Sequence, residues 1–239
     1  MDLFQTSVAI LVTAVGALLQ GVTGLGLNLF ASPILMMVHP RFIPGPILMG
    51  ALLLTALMLL RDRSSIDFRG VGWMTAGMLP GTYLAGRLLP IISLNALSIL
   101  LGCLVLAGVG LSFWGVKFPG YAWVLFLAGF ISGVGTILAS IGGPPVALVN
   151  QDLEPRKLRG TLSGYFILSG FVGLMLLIPA GRIGPTELGL SIWVLLGVVV
   201  GFLSSGFLLS KMDARITRIV LLILSALSAL ILIVQQIWR

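Results

Sequence analysis

Two long stretches without a Lys, Arg, Asp or Glu constrain this chain more than any other feature. The first runs from Leu3 to Pro40, with Gly21-Val22-Thr23-Gly24-Leu25-Gly26-Leu27-Asn28 at its centre and Pro33 beyond. The second runs from Phe118 to Gln151 and carries Ser140-Ile141-Gly142-Gly143-Pro144-Pro145. Both belong in hydrocarbon. As unbroken helices of about 34 residues they would reach roughly 50 Å, against a hydrocarbon core of about 30 Å. Each is therefore expected to form two shorter helices that meet at a Gly/Pro break inside the membrane. Non-helical backbone at that depth persists only where protein buries it or water lines it, as in the substrate sites of transporters.

Composition agrees. Of 239 residues, 58% are hydrophobic and 9% charged, where soluble domains carry about 25% charged residues. The start of the chain does not read as a cleaved signal peptide, since its apolar run is too long and Asp2 is the only early charge. The net charge of +7 sits in short loops between apolar segments, so membrane topology explains it and nucleic acid is not expected as a partner. The single cysteine, Cys103, lies in an apolar segment and offers neither a disulfide framework nor a metal site.

Between and after the two stretches, apolar helices are expected at about 43–60, 70–89, 94–114, 160–180, 188–210 and 219–238. The charged loops between them include Arg61 to Arg69, Asp152 to Arg159 and Lys211 to Arg218. The plan repeats. Gly77, Gly81 and Gly86 recur 120 positions on as Gly197, Gly201 and Gly206; Gly50 and Thr55 match Gly164 and Ser169 at an offset of 114; Gly26 matches Gly142 at 116. Small residues four apart let helices approach closely, and Gly77, Gly81, Gly197 and Gly201 are read as packing residues. If each broken segment returns as a hairpin, ten of the fourteen Lys and Arg residues fall on one side and four on the other; if each crosses once, the split is eight to six. The positive-inside rule favours hairpins, which makes the halves inverted and puts both termini outside. The expected fold is an all-α polytopic membrane protein, one integral membrane domain built of two homologous, inverted four-segment repeats, 1–116 and 117–239. Each repeat opens with a Gly/Pro-broken or re-entrant helix pair.

The sequence offers little for catalysis. His39 has no neighbouring carboxylate or second histidine, no zinc or nucleophile-elbow motif occurs, and no Asp or Glu lies within an apolar segment. No enzyme, metal or cofactor is expected. The membrane interior instead holds neutral polarity around the two breaks: Gln20, Thr23, Asn28 and Ser32 in one half, and Ser132, Thr136, Ser140, Asn150 and Gln151 in the other. A helix restarting after a break presents free backbone N–H groups and the positive end of its dipole. Two such ends facing each other form a site for a small anion without a full positive charge. Gly24, Gly26, Gly142 and Gly143 would let backbone approach the ligand, and Pro144 suits a first helical turn. The substrate-binding set read from the sequence is thus Gln20, Thr23, Gly24, Gly26, Asn28, Ser32, Ser140, Gly142, Gly143 and Pro144.

At these residues the chain resembles the sulfite exporter TauE/SafE family. The likeness rests on two four-segment halves, an early Gly-x-Gly followed by a proline (Gly24, Gly26, Pro33) and a Gly-Gly-Pro in the second half (Gly142, Gly143, Pro144). Leu27 and Asn28 stand where many members continue with glycine. The resemblance implies a multi-pass carrier of the bacterial inner membrane for sulfite, sulfonates or other small organic anions. The residues alone reach only as far as a small anion. A passive anion channel and a non-transporting membrane subunit stay open beside a carrier, and so does assembly into a homo-oligomer.

Overall fold

Each charge-free stretch folds as a long helix, a break and a short helix in the computed structural model, which describes residues 3–62, 66–114, 118–208 and 214–238. The first pair is α1 (Leu3–Thr23) and α2 (Leu27–Val38); the second is α6 (Ala122–Ala139) and α7 (Gly143–Val149). The expectation of two shorter helices in each stretch holds only for the trailing helix of each pair. The leading helices have 21 and 18 residues, enough to cross a bilayer, whereas α2 has 12 and α7 only 7. At 1.5 Å per residue the trailing helices reach about 18 and 10 Å and end partway.

Both pairs fold back. A Cβ placed on Gly16 would lie 3.2 Å from the Leu27 Cα, although eleven residues of continuing helix would separate them by about 16 Å. A Cβ on Gly142 would likewise touch the Thr136 hydroxyl and lie 2.7 Å from that of Ser132.

The remaining helices are α3 (Gly45–Asp62), α4 (Phe68–Leu88), α5 (Leu94–Trp114), α8 (Pro155–Leu177), α9 (Pro185–Leu208) and α10 (Ala214–Ile237). Among the described residues all regular elements are helical, and seven helices are long and apolar enough to cross a membrane: α1, α3, α5, α6, α8, α9 and α10. The chain is a multi-pass integral membrane protein. α8 and α9 start earlier than expected, at Pro155 and Pro185, because a proline in the first turn loses no needed N–H. Most of the charged Asp152–Arg159 loop is therefore the first turn of α8. Glu187 closes the start of α9, accepting from the Gly184 N–H at 2.9 Å. The 116/117 boundary lies outside the described residues, as do Asp2, Arg63, Lys117, Lys211, Asp213 and Arg239.

Glycine sets the closest helix pairs. Gly77 and Gly81 of α4 rest on the backbone carbonyls of Phe126 and Phe130 of α6, while Gly129 and Gly133 of α6 rest on Met74 and Met78. On the opposite side Gly197 and Gly201 of α9 rest on the carbonyls of Ile10 and Ala14 of α1. Any side chain at these positions would drive the helices apart, so the packing role holds for all four expected positions. α3 and α8 pack on each other between these pairs, and α5 packs on α10.

Candidate functional site

The two fold-backs meet. Asn28, in the first turn of α2, donates through Nδ2 to the Ser140 carbonyl at the other break, 112 residues away. Ser140 itself ends α6 in the left-handed conformation, φ 56°, the one non-glycine residue with positive φ among those described. Its N–H bonds the Thr136 carbonyl and the next N–H, of Ile141, reaches back to Gly135, so orphan carbonyls at the helix end are satisfied. Its Oγ donates to the Pro44 carbonyl at 3.1 Å. A serine in this conformation costs about 1–2 kcal/mol, which the three tethers to α2, α3 and α6 offset.

The first break uses glycine. Gly24 has φ 86° and Gly26 φ 155°, values that a side chain disfavours. Gln20, buried in the last turn of α1, accepts the Leu27 N–H on Oε1 at 2.9 Å and closes the hairpin across the break.

Between the two breaks lies a cavity of about 50 Å³. It is walled by Ala51, Leu52 and Thr55 at the middle of α3, and by Phe166, Ser169 and Gly170 at the middle of α8. The cavity is thus level with the middle of both helices. Of the expected residues, Gln20, Gly26, Asn28, Ser140, Gly142, Gly143 and Pro144 line it. Thr23, Gly24 and Ser32 do not. The Thr23 hydroxyl is spent on the break, donating to the Leu19 carbonyl at 2.8 Å and accepting from the Leu25 N–H at 3.3 Å. Gly24 lies against the stem of Arg159, and Ser32 is fully buried away from the cavity.

Three hydroxyls that the sequence did not place in the set complete the wall. Thr55 donates to the Ala51 carbonyl at 2.8 Å, Thr136 to that of Ser132 at 2.8 Å, and Ser169 lies 3.4 Å from the Thr136 hydroxyl. Thr136 is among the neutral polar residues read around the second break, and the signal for the other two was the Thr55–Ser169 match across the halves, which marked corresponding positions without saying that they face one space.

The lining contains no Lys, Arg, Asp or Glu. Donors come from backbone. The N–H groups of Asn28 and Leu29 at the start of α2, and of Gly142 and Gly143 at the second break, have no hydrogen-bond partner among the described residues. The Leu27 N–H is already taken by Gln20. Pro144 and Pro145 supply none, and α7 has under two turns, so the positive helix end at this cavity belongs to α2. Asn28 Oδ1 is a buried acceptor without a donor. Such an arrangement can hold a small anion on N–H groups while one acceptor awaits a proton from water or from the ligand. Among the described residues no group of His, Cys, Asp and Glu could hold a metal ion.

A family model described as Sulfite exporter TauE/SafE matches residues 8–232, nearly the whole chain. The chain belongs to this family of membrane anion transporters. Neither a curated protein nor a solved structure matches it.

Proposed function

We propose that this protein is a secondary transporter of small anions in the bacterial inner membrane, working by alternating access around the central cavity. The observation that carries the reading is the cavity's place. It lies where both broken helices meet, level with the middle of α3 and α8, with uncommitted backbone donors and no side-chain charge.

Size points to the substrate. About 50 Å³ holds some three or four waters, and hence an anion of about four heavy atoms, such as sulfite. A larger sulfonate or organic anion requires the cavity to widen. Affinity is bounded as well. A partly buried helix end contributes up to ~2 kcal/mol and each hydrogen bond to a charged ligand about 1.5–3 kcal/mol. A few such terms give micromolar to millimolar binding, not nanomolar. Asn28 Oδ1 favours an anion carrying a proton, such as hydrogen sulfite.

The two halves are read as inverted repeats, and two observations support this. The wall is drawn from matching positions: Gly26 with Gly142, Thr55 with Ser169 and, at the same offsets, Gln20 with Thr136 and Leu52 with Phe166. The breaks also approach α3 from opposite ends. Arg61 at its C-terminal end donates to the Gly21 carbonyl at 2.6 Å, while Pro44 at its N-terminal end accepts from Ser140. Single cysteines at Leu3 and Arg69 should label from opposite sides of the membrane, and labelling from one side would remove the inverted arrangement.

The function is tested in liposomes. Sulfite should accumulate against its gradient with saturation, and binding to purified protein should rank sulfite above sulfate, acetate and taurine. Non-saturating flux that only equalises concentrations would mean a channel. No flux, together with no binding, would remove the transporter reading.

A further inference from the structure

A second cavity of about 70 Å³ lies beside the first, and one residue lines both: Leu25. The outer cavity is bounded by Thr23 on the first break, Ser112 near the end of α5, Gln151 beyond α7, and Arg218 in the first turns of α10. Arg218 is exposed, and its guanidinium donates to the Ser112 carbonyl at 3.4 Å. No carboxylate is in the lining. Arg159, whose stem covers Gly24, stands at the same face of the protein.

Leu25 is built to move. It sits between Gly24 and Gly26, both at positive φ, and glycine gives this backbone alternatives that other residues lack. Its side chain fills the notch left by Gly143 on the opposite break: a Cβ there would collide with Leu25 Cδ1 and lie 3.6 Å from Phe166. An apolar side chain wedged between a neutral polar cavity and a cationic one excludes water and ions while in place.

We propose that the anion passes between the central cavity and the face bearing Arg159 and Arg218 by displacing Leu25, with Arg218 as its cationic contact in the outer cavity. This rests on the central cavity being the anion site. The guanidinium gathers anions from solution, a long-range effect that raises encounter rates and is weakened by salt. Leu25 then sets whether they reach the neutral site. Retraction of Leu25 from Gly143 takes rotation at the two flanking glycines and release of the Leu25 N–H from the Thr23 hydroxyl, while the hairpins themselves stay joined through Asn28 and Ser140.

The test uses full-length protein in a Cys103→Ser background, with a small sulfonate-bearing thiol reagent as probe. Ser169→Cys reports the central cavity and Ser112→Cys the outer one. Leu25→Ala should speed labelling of Ser169→Cys roughly tenfold, Leu25→Trp should slow it by a similar factor, and Leu25→Ala should leave Ser112→Cys unchanged. Arg218→Ala should slow labelling of both cysteines several-fold at low salt, with Arg218→Lys restoring the rate and high salt erasing the difference. Equal labelling of Ser169→Cys in all three Leu25 backgrounds, in protein of unchanged melting temperature, overturns the route. Sulfite separates this from the central-site reading. If sulfite protects Ser169→Cys but Leu25 substitutions change nothing, the route fails and the site stands. If the Leu25 effects appear without sulfite protection, the two cavities are connected as described but the anion site lies elsewhere.

Discussion

The two hairpins make the same fold-back from different chemistry. The first bends through two glycines, Gly24 and Gly26, and is closed by a side chain, Gln20, bonding the Leu27 N–H. The second bends through a serine held left-handed by three tethers, then restarts on two prolines. Their trailing helices differ accordingly: twelve residues with free N–H groups and Asn28, against seven residues whose first turn carries two prolines and keeps the Gly143 N–H. The first hairpin brings the dipole, the Asn28 side chain and the N–H groups of Asn28 and Leu29, and the second adds those of Gly142 and Gly143. The second brings a carbonyl for Asn28 and a stiff wall.

That division can be broken at its tightest point. Gly142→Ala places a methyl group against the Thr136 and Ser132 hydroxyls and 2.9 Å from the Ser132 carbonyl, and such overpacking costs about 1–3 kcal/mol. We expect a lower melting temperature and lost transport. Gly26→Ala meets the flexible Leu221 at 3.1 Å, so its cost is mainly backbone strain, of order 1 kcal/mol. It should lose transport with the smaller loss of stability. Equal melting shifts in the two variants would erase the contrast between a packed break and a flexed one.

Next in size is Asn28→Asp. It removes the donor to the Ser140 carbonyl and sets a negative charge beside the anion at nearly constant volume, so transport should fall at least tenfold at matched expression. Asn28→Ala leaves the Ser140 carbonyl unpaired, which costs about 1–3 kcal/mol of stability, and should retain more transport than Asn28→Asp. If Asn28→Asp transports as wild type does, the donor role of the first hairpin is wrong.

Smaller effects sharpen the comparison. Ser140→Gly relieves a left-handed serine but gives up the bond to Pro44, a gain of about 1–2 kcal/mol against a loss of about 0.5–1.5. Thermal melting should therefore move little. Gly24→Ala has no such compensation, since its methyl meets the Arg159 stem at 3.0 Å at an unfavourable φ; it should melt distinctly lower. The smallest effect is expected for half-buried Pro145→Ala, a stability change below about 1 kcal/mol.

Much of this architecture was legible in the chain. Absent charge and the repeated glycines located both breaks, and the matching of Gly26 with Gly142 and Thr55 with Ser169 marked positions that line one cavity. Helix lengths were less legible, because a break shows where a helix stops but not how far its neighbour runs. Pro155 and Pro185 were read as loop residues when each opens a helix. The polar residues were sorted least well. Gln20, Asn28 and Ser140 reach the cavity, but Thr23 and Ser32 do not; Thr136 was seen near the break but left out of the binding set, and Thr55 and Ser169 were missed.

The sequence by itself determined that the chain lives in hydrocarbon and that two helices break, because these follow from composition and local backbone preference. Only the tertiary structure decided which polar groups share a space. A hydroxyl in a membrane helix is satisfied by its own i−4 carbonyl whichever way the helix faces, so its type reveals nothing about its direction. Asn28 meets Ser140 across 112 residues, and Leu25 sits in the notch of Gly143, through helix rotations that depend on glycine contacts elsewhere, between α4 and α6 and between α1 and α9.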